Sequence, residues 1–165
     1  MSNNQSQNLS LFQPTGFKVI IDRKHYSNLE FFVQSISHPG ATNPAVETSY
    51  KRIQSVPQPG GQMEYGEFTM DVLLDEDFTS YIEVYQWMLR LVQQPVTRGV
   101  GAEVQRTHAD IYVSALTANN TANKTIKYVD AIPVAVGDIR FEAQNQSVEY
   151  VSFPVSFRFS YFDIE

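Results

Sequence analysis

The sequence predicts a mainly β fold: a β-sandwich or partial barrel of about seven or eight antiparallel strands with one flanking α-helix. Three observations carry this reading. Between Val148 and Phe162, Val151, Phe153, Val155, Phe157, Phe159 and Tyr161 alternate with Ser152, Pro154, Ser156, Arg158 and Ser160, the period of two that gives a strand one buried face. Shorter runs of the same kind recur along the chain, bounded by clusters of Gly, Pro and Asn. A single run, from Phe78 to Val92, has apolar residues at helical spacing instead.

In chain order, the polar and uncharged start Met1-Ser-Asn-Asn-Gln-Ser-Gln-Asn8 reads as an arm over residues 1–14 that orders on contact, ahead of one domain over 15–165. Gly16 to Asp22 and Leu29 to Ser37 read as two strands of a hairpin. The turn residues His38-Pro-Gly-Ala-Thr-Asn-Pro44 end the second strand. Val46 to Ile53 mixes polar and apolar residues and suits a strand exposed on one side, or a loop. Pro57-Gln58-Pro59-Gly60-Gly61 reads as a flexible segment. Residues 38–65 together form a long, weakly patterned excursion, of the kind that is functional or disordered.

Glu67 to Leu74 returns to strand character, and Asp75-Glu-Asp77 supplies a cap and negative charge at the positive end of the following helix. The expected apolar helix residues are Phe78, Tyr81, Ile82, Tyr85, Trp87, Met88, Leu89 and Val92, with Pro95 as the stop. Ala109, Ile111, Val113 and Ala115 alternate with His108, Asp110, Tyr112 and Ser114, and after the turn at Asn119 to Asn123 the return strand Lys124 to Ala131 completes a second hairpin. Asp138 to Ala143 is expected to pair with the last strand. That strand, about 50 Å long at ~3.3 Å per residue, is expected to bend near Pro154, which offers no ladder donor.

Composition removes several classes of function. The absence of cysteine excludes disulfides, thiolate nucleophiles and thiolate metal sites. A formal charge of −6 with twelve scattered cations argues against gripping nucleic acid, which needs clustered Lys and Arg. No window approaches the ~18 consecutive apolar residues of a membrane span, and no membrane binding by the subunit is expected. Asp75, Glu76 and Asp77 are explained by the helix start, and His25, His38 and His108 show no metal-ligand spacing. There is no G-x-S-x-G elbow and no phosphate-binding G-x-x-x-x-G-K-[ST]. Gly99-Val-Gly101 follows a helix where a dinucleotide site needs a strand. Catalytic residues, metal ligands and cofactors are therefore all expected to be none, and the protein is not read as an enzyme.

Asp130-Ala-Ile-Pro-Val-Ala-Val-Gly-Asp-Ile139, the final strand Val148 to Phe162, the turn Ser37-His-Pro-Gly40 and the Asp-rich junction into the helix that holds Trp87 occur in a telling order and spacing. Over about residues 15–162 this pattern resembles the tail tube proteins of contractile-tailed bacteriophages, related to the tubes of type VI secretion and extracellular injection systems. His38 departs from the resemblance, standing where an apolar residue is commoner. The resemblance implies a structural virion protein whose six-fold rings stack into a hollow inner tail tube, the conduit for genome ejection. Its implied partners are further copies of itself, the tail sheath protein, baseplate and tail-terminator proteins, a tape measure protein in the lumen before ejection, and double-stranded DNA in transit. Assembly in the host cytoplasm and residence in the virion tail follow. The alternatives are a type VI or injection-system tube, a baseplate tube initiator, and an isolated carbohydrate-binding or adhesin sandwich.

Under that resemblance the expected lumen-facing residues are His108, Asp110, Ser114, Thr125 and Lys127 on the second hairpin, with Glu47 and Ser49 on the first. Pro57, Gln58, Pro59, Gly60 and Gly61 are the expected inter-ring stacking loop, and Val151, Phe153, Val155, Phe157, Phe159 and Tyr161 the core strand. A net negative channel wall would keep DNA from sticking.

Overall fold

The structure, a computed structural model, describes residues 16–21, 26, 29–30, 32–50, 54–93, 107–117, 121–141 and 150–165. The strands are β1 (Phe17–Ile20), β2 (Val33–Ser37), β3 (Ala41–Thr42), β4 (Val46–Tyr50), β5 (Gln54–Gln58), β6 (Glu64–Tyr65) and β7 (Phe68–Leu73), followed by helix α1 (Thr79–Gln93). Beyond the helix come β8 (Ala109–Leu116), β9 (Ala122–Val136), β10 (Ser152–Arg158) and β11 (Tyr161–Ile164). Seven strands form one antiparallel sheet in the order β1-β8-β9-β10-β7-β2, with β11 also on β9, and β3-β6 and β4-β5 form two small pairs. The fold is mainly β with the helix on one side, as expected, but the sheet does not close into a barrel.

The longest strand is β9, with 15 residues, not the last one. Its first part pairs with β8 and β11 and its end pairs with β10, so β9 carries the chain from one half of the sheet to the other. The bend falls at Asp130, whose φ of 54° is a left-handed conformation that Asp tolerates better than most residues. Its amide donates to Asp110 Oδ1 at 3.2 Å. Across the bend the inward positions shift by one: Tyr128 and Ala131 are both buried though three residues apart. Opposite Asp130, the final strand breaks at Phe159–Ser160. There too the inward register slips, from Phe157 to Phe162, and Tyr161 is left 51% exposed.

This corrects the expectation of a bend at Pro154. Pro154 sits beyond the last β9 pairing, Val155 with Val136, and its carbonyl accepts the Gly137 amide at 2.7 Å. A Cβ on Gly137 would stand 2.3 Å from Pro154 Cγ, so only glycine lets the ring lie there. The return strand runs on past Ala131: Pro133 is buried within β9 next to the register shift at Ser156/Phe157, a place where a missing donor is tolerated. Residues 138–141 are coil, and the rest of the strand expected over Asp138 to Ala143 lies outside the described residues.

The first expected hairpin is also absent. β1 pairs with β8 and β2 with β7, at opposite ends of the sheet order. Leu29 and Glu30 are helical, with Glu30 N–H donating to the Tyr26 carbonyl at 3.2 Å, so the strand expected from Leu29 begins only at Val33. Leu29 is fully buried, and its amide is held by Glu83 of α1 at 2.9 Å. Leu29 thus belongs to a turn and Val33 to a strand, a difference of period that so short a segment does not reveal.

Helix α1 buries Ser80, Val84 and Trp87, with Leu91 packed against the core, positions i, i+4, i+7 and i+11 of one face. Ile82, Tyr85 and Val92, expected inward, are exposed. Trp87 fixes the helix on the sheet: it stacks on Tyr26 at 4.3 Å, lies 5.7 Å from Phe157, and donates its indole N–H to the Thr107 carbonyl at 2.7 Å. The helix start is set by Asp75, whose carboxylate accepts the Thr79 amide at 3.1 Å, the Ser80 amide at 3.2 Å and both hydroxyls. Desolvation pushes this carboxyl up, but hydrogen bonds from the Thr79 hydroxyl, the Ser80 and Thr79 amides and the Ser80 hydroxyl hold it down, to about 2.

A lowered carboxyl stabilises the fold above its ordinary value of 3.8, and that contribution is lost as pH falls through about 2. Asp75→Ala is therefore expected to cost about 0.5–2 kcal/mol in urea unfolding at pH 7, with the gap from wild type narrowing in that acid range. Asp75→Asn, which keeps an acceptor, should cost less at pH 7.

Candidate assembly surfaces

Alternation gives the β1-β8-β9-β11 half of the sheet two unlike faces. Val19, Ile111, Val113 and Tyr128 point into the core beneath α1. The other face carries Lys18 and Ile20 of β1, Asp110, Tyr112 and Ser114 of β8, Thr125, Lys127 and Val129 of β9, and Tyr161 and Asp163 of β11, cross-strand neighbours by register. Thr125 and Glu165 exchange both backbone hydrogen bonds, adding Glu165 to the same face.

The polar side chains on this face hold one another. Lys127 Nζ lies 3.0 Å from Asp110 Oδ2 and 5.4 Å from the centre of the Tyr112 ring. Hydrogen bonding to Asp110, then to Tyr112, with Coulombic attraction to Asp110, raises the Lys127 ammonium above its ordinary value, so it stays charged at neutral pH. Ser114 Oγ and Thr125 Oγ1 are 3.0 Å apart. Through Asp110, which also receives the Asp130 amide, this network is tied to the bend in β9. Its described charges are Lys18 and Lys127 against Asp110, Asp163 and Glu165.

Four of the expected lumen residues, Asp110, Ser114, Thr125 and Lys127, thus meet on one face. His108 precedes β8 and is exposed, with Nδ1 2.9 Å from Thr107 Oγ1; it lines an open cleft of about 380 Å³ at the bend, with Asp130, Arg158 and Ser160. Glu47 and Ser49 stand elsewhere, on β4, opposite Pro57 and Ser55 in the separate β4-β5 pair. The segment from 57 to 61 is not uniformly a loop: Pro57 and Gln58 belong to β5 and pair with Glu47 and Val46. Gly60 closes the base of this hairpin, where a Cβ would meet the Pro44 carbonyl oxygen at 2.1 Å.

The β4-β5 pair is exposed along its described length, with Val46 at 59% and Val56 at 39%. Two-stranded pairs of this kind are marginal in water without further packing. Among the described residues β1, β2 and β11 each pair on one side only, leaving an open edge. Sequence reasoning missed Lys18, Ile20, Tyr161 and Asp163 as members of the polar face. The signal for the last two was the slip in apolar spacing from Phe157 and Phe159 to Phe162 and Ile164.

Among the described residues no group of three or more His, Asp or Glu is placed to hold a metal ion, and no helix is long and apolar enough to cross a membrane.

Chains solved in an extracellular contractile injection system, in the anti-feeding prophage and as a type six secretion system protein share this fold. A chain of the extended PVC sheath–tube complex, an extracellular contractile injection system, superposes with a TM-score of 0.68 at 14% identity, covering 95% of this chain and 93% of that one. A chain of the tube-terminating cap of the anti-feeding prophage gives 0.69 at 13% identity, over 98% and 95%. Hcp1 from Flavobacterium johnsoniae gives 0.52 at 14% identity, over 90% and 93%. No family model and no curated protein matches the sequence.

Proposed function

We propose that this chain is the structural subunit of the inner tube of a contractile tail, assembling as six-fold rings that stack around a hollow channel. The observation that carries the reading is the two-faced, open-edged sheet. A polar, self-neutralising face is an unneeded feature in an isolated sandwich but suits the wall of a channel. The edges of β1 and β2 are a liability in a monomer and become the seam between neighbours in a ring. The β4-β5 hairpin then reaches the adjacent ring, where contact supplies the packing it lacks alone.

On this reading Asp110, Ser114, Thr125 and Lys127 line the channel. With Lys127 held by Asp110 and carboxylates in slight excess, the wall offers DNA little to grip during ejection of the genome. The outward side of α1 faces the surrounding sheath, and baseplate and terminator proteins meet the ends of the tube. A tape measure protein occupies the lumen before ejection, assembly takes place in the host cytoplasm, and the role is structural rather than enzymatic. The similarity to chains from injection-system assemblies favours one second reading, in which the same tube carries protein cargo.

The absence of cysteine provides a clean test of which face lines the channel. In assembled tubes, Thr125→Cys is expected to react with a small maleimide but to resist one carrying a chain of about 5 kDa, whereas Gln86→Cys on exposed α1 reacts with both. Equal labelling of the two positions by the bulky reagent would remove this face from the lumen.

A further inference from the structure

His38 stands between the end of β2 and the start of β3, at the root of the excursion that carries the β4-β5 hairpin. Its Nδ1 lies 2.6 Å from the hydroxyl of Tyr128, a fully buried side chain of β9. The imidazole also meets Phe162 of β11 edge-on at 4.9 Å. The other root of the excursion is fixed on the same cluster: Tyr65 of β6 packs 5.3 Å from Phe162 and 5.6 Å from Phe159. Ala41 pairs with Tyr65, and the Gly66 amide donates to the Gly40 carbonyl at 3.0 Å, so the two roots are joined. His38 is the polar pin of an otherwise aromatic joint.

We propose that the His38–Tyr128 hydrogen bond is a pH-sensitive latch: neutral His38 holds the root of the excursion on the sandwich, and protonated His38 releases it. The neutral imidazole accepts the phenol hydrogen at Nδ1. Protonation turns Nδ1 into a donor, and the phenol hydrogen then needs a new acceptor within a cluster of aromatic carbon. Burial pushes the Tyr128 phenol up, so it cannot respond by ionising. The titratable groups on the surrounding elements are Tyr128 of β9 and Tyr65 of β6. Lys127 and Asp163, next to Tyr128 and Phe162 in sequence, lie on the opposite, polar face, in register with each other. Glu64 of β6 is exposed. Glu67, between β6 and β7, is exposed and lies 3.9 Å from Arg158, and among the described residues no carboxylate forms an ion pair with His38.

His38 keeps part of its ring in solvent, and partial desolvation holds it below its ordinary value of 6.5 in the latched state. The latch is thus fully made above that pH and is lost as pH falls below it. Its consequence for assembly rests on the reading that the excursion stacks rings; the latch itself does not.

Amide hydrogen exchange on the full chain at pH 7.5 and 5.0, corrected for intrinsic rates, tests both. Exchange over residues 41–65 is expected to accelerate several-fold at pH 5.0 in the wild type, with β8 and β9 unchanged. His38→Gln should exchange at one rate at both pH values, and Tyr128→Phe should exchange fast at both. A wild type without the acceleration, a His38→Gln variant that retains it, or slow exchange in folded Tyr128→Phe would each overturn the latch. Sedimentation of assembled tubes at the same pH values separates the two ideas: an excursion released by acid with tubes intact leaves the latch standing and removes the stacking role.

Discussion

Phe157→Ala is expected to destabilise the subunit by about 3–5 kcal/mol, the range for truncating a buried aromatic in a packed core. Phe157 is fully buried, and it joins three elements: it pairs with Phe68 of β7 and Pro133 of β9, and its ring lies 5.7 Å from Trp87 of α1. The cavity left by alanine would open where the two halves of the sheet and the helix converge, so little can collapse into it. For a chain of this size the loss corresponds to a fall of about 6–20 °C in thermal midpoint. Tyr161→Ala on the exposed side of the break should cost far less, because Tyr161 is half in solvent. Comparable losses for the two would mean that the inward register does not slip at Phe159–Ser160.

Removing the β4-β5 hairpin should do the opposite, leaving the subunit intact and abolishing its assembly. Pro44 and Gly60 lie against each other at the hairpin base, so residues 45–59 can be replaced by two glycines with little displacement of the flanking chain. Unfolding of the isolated subunit is expected to stay within about 0.5 kcal/mol of wild type, since the hairpin's described residues are exposed and contribute nothing to the core. Long tubes should fail to form, as judged by sedimentation and electron microscopy. Tubes of normal length from this variant would show that stacking does not depend on the hairpin.

The parts of the fold legible in the sequence were those where one period rules one element. Phe153, Val155 and Phe157 announce a buried strand face, and the β8-β9 hairpin is written in the alternation of Asp110, Tyr112 and Ser114 against Ile111 and Val113. The helix is visible in the sequence, but its bulkiest residues do not mark its buried face. The packing chose Ser80, Val84, Trp87 and Leu91, because a serine that donates to the Leu73 carbonyl fits closer to the sheet than an isoleucine at 82.

What could not be read was long-range. Nothing local says that β1 pairs with β8 rather than β2, since that pairing joins strands far apart in the sequence. Pro154 advertises a missing donor and so draws the expected bend to itself, whereas Asp130 bends the chain through a backbone angle that its side chain only makes tolerable. Of the candidate surfaces, the polar face of the second hairpin was visible as alternation. Its extension onto β1 and β11, and the separation of Glu47 and Ser49 from it, depend on sheet order.

The central claim, that this chain builds a hollow tube, is tested most directly by negative-stain microscopy and size-exclusion chromatography of the purified protein at high concentration, alone and with sheath or baseplate components. The account predicts rings with an open centre that stack into tubes. A stable monomer that forms neither rings nor tubes under any of these conditions would contradict it.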